Sequence, residues 1–279
     1  MNVRGNIMKK ILISLIILSI FIISACGSTD ANADTHVTTE SATVENATLN
    51  SEQDETKETV ETAETTVPSV RSAEEIYNAY LTKLCNKLSN IIVDDTHLDG
   101  FSDQEGVLGI SEYAISGDVD MLKKMGYLIQ DINGDETAEL IIFQVDQPDS
   151  EPCTGTRILS AYTVTDGDMV LIFEGNSRNR YFLLDNGTIY NECAESTARL
   201  GFGIYQLSAD GTALICEEFN FVDYVDAQTA NCYRNQSGQF DIDNSELMDG
   251  GIVAYDAEQK ECAMQILTYD LTSFEAYVG

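Results

Sequence analysis

The sequence predicts an α+β domain in which a short helical preface precedes a mainly antiparallel β-meander. Three observations support this fold class. Apolar residues recur every three or four positions after Ser72, which is the period of a helix. After Gly126 they follow the shorter period of strands. Turn signals then separate short apolar segments at intervals of roughly 20 residues, as in successive hairpins.

The first predicted helix runs from Ser72 to about Ile92. Ser72 and Glu75 have the spacing of a capping box, in which each side chain bonds the other residue's backbone N–H. The apolar face that follows contains Ile76, Tyr77, Tyr80, Leu81, Leu84, Leu88 and Ile91. A second capping box, Ser102 with Glu105, predicts a weaker helix, and residues 118–125 predict a short turn.

Strands are predicted from residue 127 to the end of the chain. The first two cover 127–129 and 140–145, on either side of a polar loop. Hairpin turns are predicted at Asp166-Gly167, Asp185-Asn186-Gly187 and Asp210-Gly211. The segment after Cys232 is expected to add at least two strands, around 252–255 and 263–269. Residues 72–279 are therefore expected to form one domain.

Residues 1–25 have the organisation of a secretory signal peptide. Two lysines precede an apolar run at 11–23 that is too short to span a bilayer. The tetrapeptide ISAC at 23–26 resembles the lipobox of bacterial lipoproteins. The resemblance implies that Cys26 carries a diacylglycerol and anchors the protein to the outer face of the cytoplasmic membrane. An uncleaved hydrophobic anchor and an ordinary cleaved signal are the alternatives.

Residues 26–71, which begin at the lipidated cysteine, are predicted to be a disordered Thr/Glu-rich tether. They have few aromatic side chains and too little apolar surface to offset the entropy of ordering. A chain of this length spans roughly 35 to 40 Å on average, which is enough to lift the domain off the membrane.

The chain is strongly acidic. It has 47 Asp and Glu against 15 Lys and Arg, a net charge of −32, and residues 72–279 alone have 37 acidic and 10 basic residues, a net charge of −27. Such a surface repels nucleic acid and attracts metal ions or a cationic partner in the cell envelope. The composition therefore excludes nucleic-acid binding, and the remaining acidity also serves solubility.

The polar loop DINGDETAE at 131–139 is the one motif that predicts a specific chemistry. Oxygen-bearing side chains at its positions one, three, five and nine can turn inward onto a hard cation such as Ca²⁺. The loop resembles the calcium loops of integrin-type FG-GAP repeats, over these nine residues and the apolar strand after them. The resemblance implies side-chain ligands Asp131, Asn133, Asp135 and Glu139, with Thr137 contributing its carbonyl.

An alternative interpretation treats Asn133-Gly134 as a type I′ hairpin turn without metal. Two departures from the FG-GAP pattern bear on affinity. Position six is Glu136, where such loops usually have glycine, and a left-handed conformation there would cost about 1 kcal/mol. Position nine is Glu139 instead of Asp. An EF-hand is excluded because its twelfth position, a bidentate Glu, falls on Ile142.

The same loop, behind a lipobox and a Thr/Glu-rich tether, is similar to a broad group of Gram-positive surface lipoproteins of unassigned activity. This resemblance concerns location more than activity. A calcium ion in the loop is expected to be structural, because the ligands are used up in holding it and no catalytic base adjoins them in sequence.

Six further cysteines, Cys85, Cys153, Cys193, Cys216, Cys232 and Cys262, follow Cys26. An even number in an exported domain permits three disulfides. Each also lies in or beside an apolar segment, so buried free thiols are the alternative. No CxxC pair or His/Cys cluster predicts zinc.

No motif in the sequence predicts catalysis. His97 is the only histidine of residues 72–279 and has no GxSxG or cysteine-protease signature beside it. With so many acids, a hydrolase that uses paired carboxylates remains open. Five arginines, namely Arg157, Arg178, Arg180, Arg199 and Arg234, could line a cationic pocket or serve as counter-charges to nearby acids.

The sequence therefore favours a non-enzymatic, calcium-stabilised binding or interaction module, with an envelope hydrolase as the alternative. The two differ in one structural respect. A hydrolase of this type needs a cleft that holds two carboxylates, one with a raised pKa, whereas a binding module does not.

Overall fold

The helical preface begins where the first capping box predicts it. In the computed structural model, which describes residues 71–90, 98, 100–115, 121–226 and 228–278, helix α1 spans Ala73–Ser89. The Ser72 Oγ accepts a hydrogen bond from the Glu75 N–H at 3.2 Å, and the Glu75 carboxylate accepts one from the Ser72 N–H at 2.9 Å. The signal peptide, Cys26, the tether up to residue 70 and His97 lie outside the described residues.

The second capping box is formed, but it starts a single 3₁₀ turn, Asp103–Glu105. Gly106 ends this turn in the left-handed region, with φ 68°. Helix α2, Leu108–Ile115, follows it, and a second 3₁₀ turn, Met121–Lys124, precedes the sheet. None of the helices in the described ranges is long and apolar enough to cross a membrane.

A 12-stranded antiparallel sheet forms the body of the domain, which confirms the predicted α+β class. The strands are β1 Met125–Gln130, β2 Glu139–Val145, β3 Thr154–Thr165, β4 Asp168–Glu174, β5 Asn179–Leu183, β6 Ile189–Ala194, β7 Arg199–Leu207, β8 Leu214–Tyr224, β9 Ala230–Asn235, β10 Glu246–Leu247, β11 Tyr269–Asp270 and β12 Thr272–Ser273. Their order is β10-β9-β8-β7-β6-β5-β3-β2-β1-β12, and β4 and β11 pair with other parts of β3.

The predicted hairpin turns join the strands as expected. Asp166 and Gly167, with φ 55° and 84°, join β3 to β4. Gly187 and Gly211, with φ 81° and 68°, lie in the β5–β6 and β7–β8 turns. These positions need the left-handed backbone that glycine adopts without steric cost. The sequential hairpins from β5 to β9 form the predicted meander.

The last segment adds three short strands, β10 to β12, but the positions predicted for its strands were wrong. Residues 252–255 lie in helix α3, Gly251–Ala263, and 263–269 contain only an isolated bridge from Ile266 to Leu184 before β11. Ala, Glu, Gln and Lys dominate the residues that follow Tyr255, and these are strong helix formers. Tyr255 is buried on the sheet, with its ring centroid 5.0 Å from that of Phe202. A five-residue helix α4, Phe274–Val278, ends the described chain.

Both faces of the sheet are covered by separate apolar clusters. Leu140 and Ile142 of β2 pack with α1 on one face. Ile141 and Phe143, which alternate with them, pack on the other face with residues of β3 to β6. Helix α3 covers a third cluster over β6 to β9. The β1–β2 loop and the β7–β8 turn thus lie at the ends of their strands, where Asn133 contacts Ser208.

Candidate functional site

The DINGDETAE loop joins β1 to β2, and the strands pair up to Gln130 and Glu139 at its two ends. A type I′ turn at Asn133-Gly134 would need a positive φ at both residues. Gly134 has φ 80°, but the other left-handed residue of the loop is Glu136, with φ 73°. The structure therefore excludes the type I′ interpretation. Glu136, the non-glycine residue at position six of the loop, therefore has the left-handed backbone conformation that was expected to cost about 1 kcal/mol.

Acidic and amide side chains of the loop turn inward and accept hydrogen bonds from its backbone. The Asp131 carboxylate accepts from the N–H groups of Gly134 at 2.7 Å and Glu136 at 3.0 Å. Asn133 Oδ1 accepts from the Asp135 N–H at 3.2 Å, and Asp135 Oδ1 from the Thr137 N–H at 2.7 Å. A carboxylate oxygen has lone pairs beyond one hydrogen bond, so these contacts leave capacity for a cation.

Glu139 is the exceptional carboxyl group of this loop. It is the first residue of β2, and its exposed fraction is 0%. Its Oε2 accepts a hydrogen bond from the Ile132 N–H at 2.9 Å, whereas its Oε1 is buried without a partner. Burial raises the pKa of Glu139 to about 7, and the charges of Asp135 and Asp131 add to the rise against the opposing Ile132 hydrogen bond. An ionised Glu139 therefore lacks a counter-charge.

The β7–β8 turn covers the loop from the side. Asn133 Nδ2 donates a hydrogen bond to the Ser208 carbonyl at 3.1 Å. A methyl group built on Gly211 would lie 3.2 Å from Asp135 Oδ2, 3.3 Å from Glu139 Oε1 and 3.5 Å from Thr163 Oγ1. Three oxygen atoms therefore border one small space beside Gly211, which we call the oxygen cradle.

The structure brings the five predicted ligands into one loop but gives them different contacts. Asp135 and Glu139 border the oxygen cradle, whereas the Asp131 oxygens bond the loop backbone. No group of three or more His, Cys, Asp and Glu side chains is arranged as a metal site within the described ranges. Sequence reasoning missed the third cradle oxygen, on Thr163, because only strand pairing brings β3 beside the loop.

The six cysteines of the domain are free thiols in the structure. Cys85 and Cys232 are buried, and the other four are partly buried. Burial raises the pKa of both the Cys85 and Cys193 thiols to about 12. Thiols with such a pKa are protonated at neutral pH, so they are weak nucleophiles and weak metal ligands.

Three of the five arginines singled out in the sequence pair with acids. Arg180 lies 2.6 Å from Glu192, and Arg234 contacts both Glu218 and Glu258. Arg199 contacts the carboxylates of Glu195 and Asp223, each at 3.0 Å. The other two differ. Arg157 donates to the Asn176 carbonyl at 2.7 Å, and Arg178 is exposed and forms no ion pair with the described residues.

No protein-family model matches the chain, and neither a curated protein nor a solved structure does. The resemblances to the lipobox and to the FG-GAP loop therefore rest on their own residues.

Proposed function

We propose that this protein is a lipid-anchored, extracytoplasmic binding module, without enzymatic activity, whose β1–β2 loop is stabilised by one calcium ion. The observation that carries the calcium proposal is the buried, unpartnered Oε1 of Glu139 beside Asp135. Two carboxylates at one small space repel each other when both are ionised, and burial strengthens that repulsion. A divalent cation removes it.

The ligands proposed for calcium are the side chains of Asp131, Asn133, Asp135 and Glu139 and the carbonyl of Thr137. All are oxygen donors, which is the ligand chemistry that calcium requires. The ion supplies positive charge that holds the loop closed against the β7–β8 turn. Because the loop joins β1 and β2, which lie near one edge of the sheet, a closed loop stabilises that edge and the surfaces built on it.

The surroundings of the carboxylates favour binding over hydrolysis. A cleft of about 820 Å³ is lined by one carboxylate among its described residues, Glu195, and Arg199 holds this carboxylate in an ion pair at 3.0 Å. The carboxyl group with a raised pKa, Glu139, lies outside this cleft. A hydrolase with paired carboxylates remains the alternative, because two smaller clefts are lined by several carboxylates, namely Glu217, Glu218 and Glu246 in one and Asp149, Glu151 and Glu275 in the other.

Calcium is expected to raise the thermal stability of the protein. When the free calcium concentration is about a hundred times the Kd of a micromolar site, binding adds roughly 2.7 kcal/mol to the free energy of unfolding. This corresponds to a rise of several degrees in Tm. The measurement is thermal unfolding in millimolar Ca²⁺ and in EDTA. Asp131→Ala should lose the calcium-dependent rise, while also losing some stability in EDTA because two backbone N–H groups lose their acceptor.

Asp226→Ala provides the matched control for this experiment. Asp226 also accepts two backbone hydrogen bonds, from Gln228 at 2.8 Å and Thr229 at 2.7 Å, in a turn remote in sequence from the loop. Its loss should lower Tm equally in both media and leave the calcium response intact. If wild-type protein shows the same Tm in Ca²⁺ and in EDTA, the calcium proposal is wrong.

The anchor has its own test. Cys26→Ala removes the only atom to which the predicted diacylglycerol can be attached. We expect the variant to appear in the soluble fraction after cells are broken and washed without detergent, whereas the parent stays with the membranes. A variant that remains in the membrane fraction would show that another segment anchors the chain.

A further inference from the structure

A cleft of about 820 Å³ lies on one face of the sheet, away from the calcium loop ligands. We call it the sheet cleft. Its walls are parts of β4 to β8, the β4–β5 and β7–β8 turns, and the loop at 236–240. Its volume falls in the range of sites that take a small molecule or a short chain segment. Neither the calcium loop nor the lipid anchor uses this cleft.

The polar floor of the sheet cleft is made of uncharged side chains. They come from every second residue of β5 and β6 and therefore lie on the same face of the sheet. Tyr181 of β5 pairs in register with Asn191 of β6, and Asn179 pairs with Cys193. Asn191 Nδ2 donates to Asn179 Oδ1 at 2.6 Å and to the Arg180 carbonyl at 3.1 Å. Asn179 Nδ2 in turn donates to the Tyr181 hydroxyl at 3.0 Å. The two amides are thereby held in fixed orientations.

This network leaves both a donor and an acceptor unused. Asn191 is 3% exposed, yet none of the hydrogen bonds among the described residues uses its Oδ1. The Tyr181 hydroxyl accepts from Asn179, and its own proton has no acceptor in the described part of the chain. A ligand group that both donates and accepts, such as an alcohol, satisfies this pair.

Aromatic rings form the apolar part of the cleft lining. The ring centroids of Phe173 and Tyr181 lie 4.5 Å apart. Phe240, which also lines the cleft, packs against Phe219 with ring centroids 5.2 Å apart, and Tyr205 is a further aromatic residue of the lining. Flat rings beside fixed amides match a sugar, because a pyranose ring has an apolar C–H face and a rim of hydroxyl groups.

The charge of the cleft favours an uncharged ligand over a strongly anionic or cationic one. Glu195 is already paired with Arg199, and Arg178 is the single cation without an ion pair among the described lining residues. One arginine does not offset the net charge of −27 that residues 72–279 present to an approaching polyanion. A cationic ligand finds no free carboxylate in this lining.

We propose that the sheet cleft binds an uncharged saccharide chain, with Asn191 accepting from a sugar hydroxyl group, Tyr181 donating to one, and the aromatic rings contacting the sugar faces. This proposal rests on the proposed function, because the saccharide would be the ligand of the proposed binding module. It does not require the calcium site, so the two can fail separately.

The test is titration calorimetry of the full chain in millimolar Ca²⁺ with four neutral tetrasaccharides: cellotetraose, maltotetraose, xylotetraose and chitotetraose. We expect at least one to bind. Ala213→Trp should abolish binding, because Ala213 is exposed in the cleft wall and an indole fills the space. Ala257→Trp, on the exposed face of α3, is the matched control and should bind as the parent does.

A second pair of variants tests the polar contact without changing the shape of the cleft. Tyr181→Phe removes only the hydroxyl group and should weaken binding about fivefold, the effect of one hydrogen bond. Tyr224→Phe removes a hydroxyl group that is exposed outside the cleft and should have no effect. Both variants keep the ring, so the fold is retained.

The outcomes separate the two proposals. If none of the four sugars binds at millimolar concentration, or if Ala213→Trp binds as well as the parent, the saccharide proposal is overturned even where the calcium response is present. Binding that Ala213→Trp abolishes supports the cleft whether or not calcium raises Tm.

Discussion

Glu139→Gln is expected to stabilise the calcium-free protein while removing its response to calcium. At pH 8 in EDTA the native protein holds an ionised carboxylate whose Oε1 is buried without a partner. An amide has no charge to desolvate, and its oxygen can still accept from the Ile132 N–H while its nitrogen faces Asp135. We expect a gain of about 2 kcal/mol in the free energy of unfolding in EDTA and the loss of most of the calcium-dependent rise.

The pH dependence of stability follows from the same group. Glu139 has a pKa of about 7 in the folded chain against an ordinary value of 4.5, so the folded chain binds this proton more tightly. The stabilisation from the neutral form is fully present below pH 4.5 and is lost as the pH rises to about 7. In EDTA, ionisation of Glu139 should therefore lower Tm as the pH rises from 4.5 to about 7. The Glu139→Gln variant should lack this part of the pH dependence.

Glu246→Gln is the matched control, because Glu246 is an exposed glutamate on strand β10. Its stability in EDTA and its calcium response should both follow the parent. A Glu139→Gln protein that is less stable than the parent in EDTA at pH 8 would mean that the carboxylate is satisfied in solution. A variant that keeps the full calcium response would remove Glu139 from the ligand set.

Gly211→Ala is expected to abolish the calcium response by filling the oxygen cradle. The added methyl group would lie 3.2 to 3.5 Å from oxygen atoms of Asp135, Glu139 and Thr163. The residue also has φ 68°, so the variant loses about 1 kcal/mol in either medium from backbone strain alone. Thermal unfolding in Ca²⁺ and EDTA separates the two effects, because strain lowers Tm in both.

Gly187→Ala measures the strain by itself. Gly187 has φ 81° in the β5–β6 turn, and its added methyl group would make only an ordinary contact, 3.8 Å from the Ile132 carbonyl. It should lower Tm equally in both media and keep the calcium response. If Gly211→Ala keeps the response as well, the cation does not use the oxygen cradle.

The calcium loop and the sheet cleft are connected through one short turn. Asn133 contacts Ser208 at the start of the β7–β8 turn, and Gly211 borders the cradle within it. The residues that follow, from Thr212 to Cys216, line the sheet cleft. If calcium closes the loop as proposed, it would also steady one wall of the cleft, although saccharide binding does not require it.

Local signals were sufficient for most of the fold. Ser72 with Glu75 placed the start of α1, because a capping box uses only residues within one helical turn. The turns at Gly167, Gly187 and Gly211 were predicted for the same reason, since each depends on a left-handed residue between apolar segments. The prediction failed at α3, where a short apolar run was read as a strand. The helix formers that follow Tyr255 were a local signal for the helix. The contact of Tyr255 with Phe202, a residue distant in sequence, sets which face of the helix is buried.

The candidate site divides in the same way. The sequence by itself determined the DINGDETAE loop and its inward-turning oxygens, because the hydrogen bonds of Asp131, Asn133 and Asp135 join neighbours within five residues. Only the tertiary structure decided that Glu139 is buried with an unpartnered oxygen beside Gly211, and that Tyr181 and Asn191 share a cleft. These features arise from strand pairing and burial, which bring together residues far apart in the chain and so leave no local pattern.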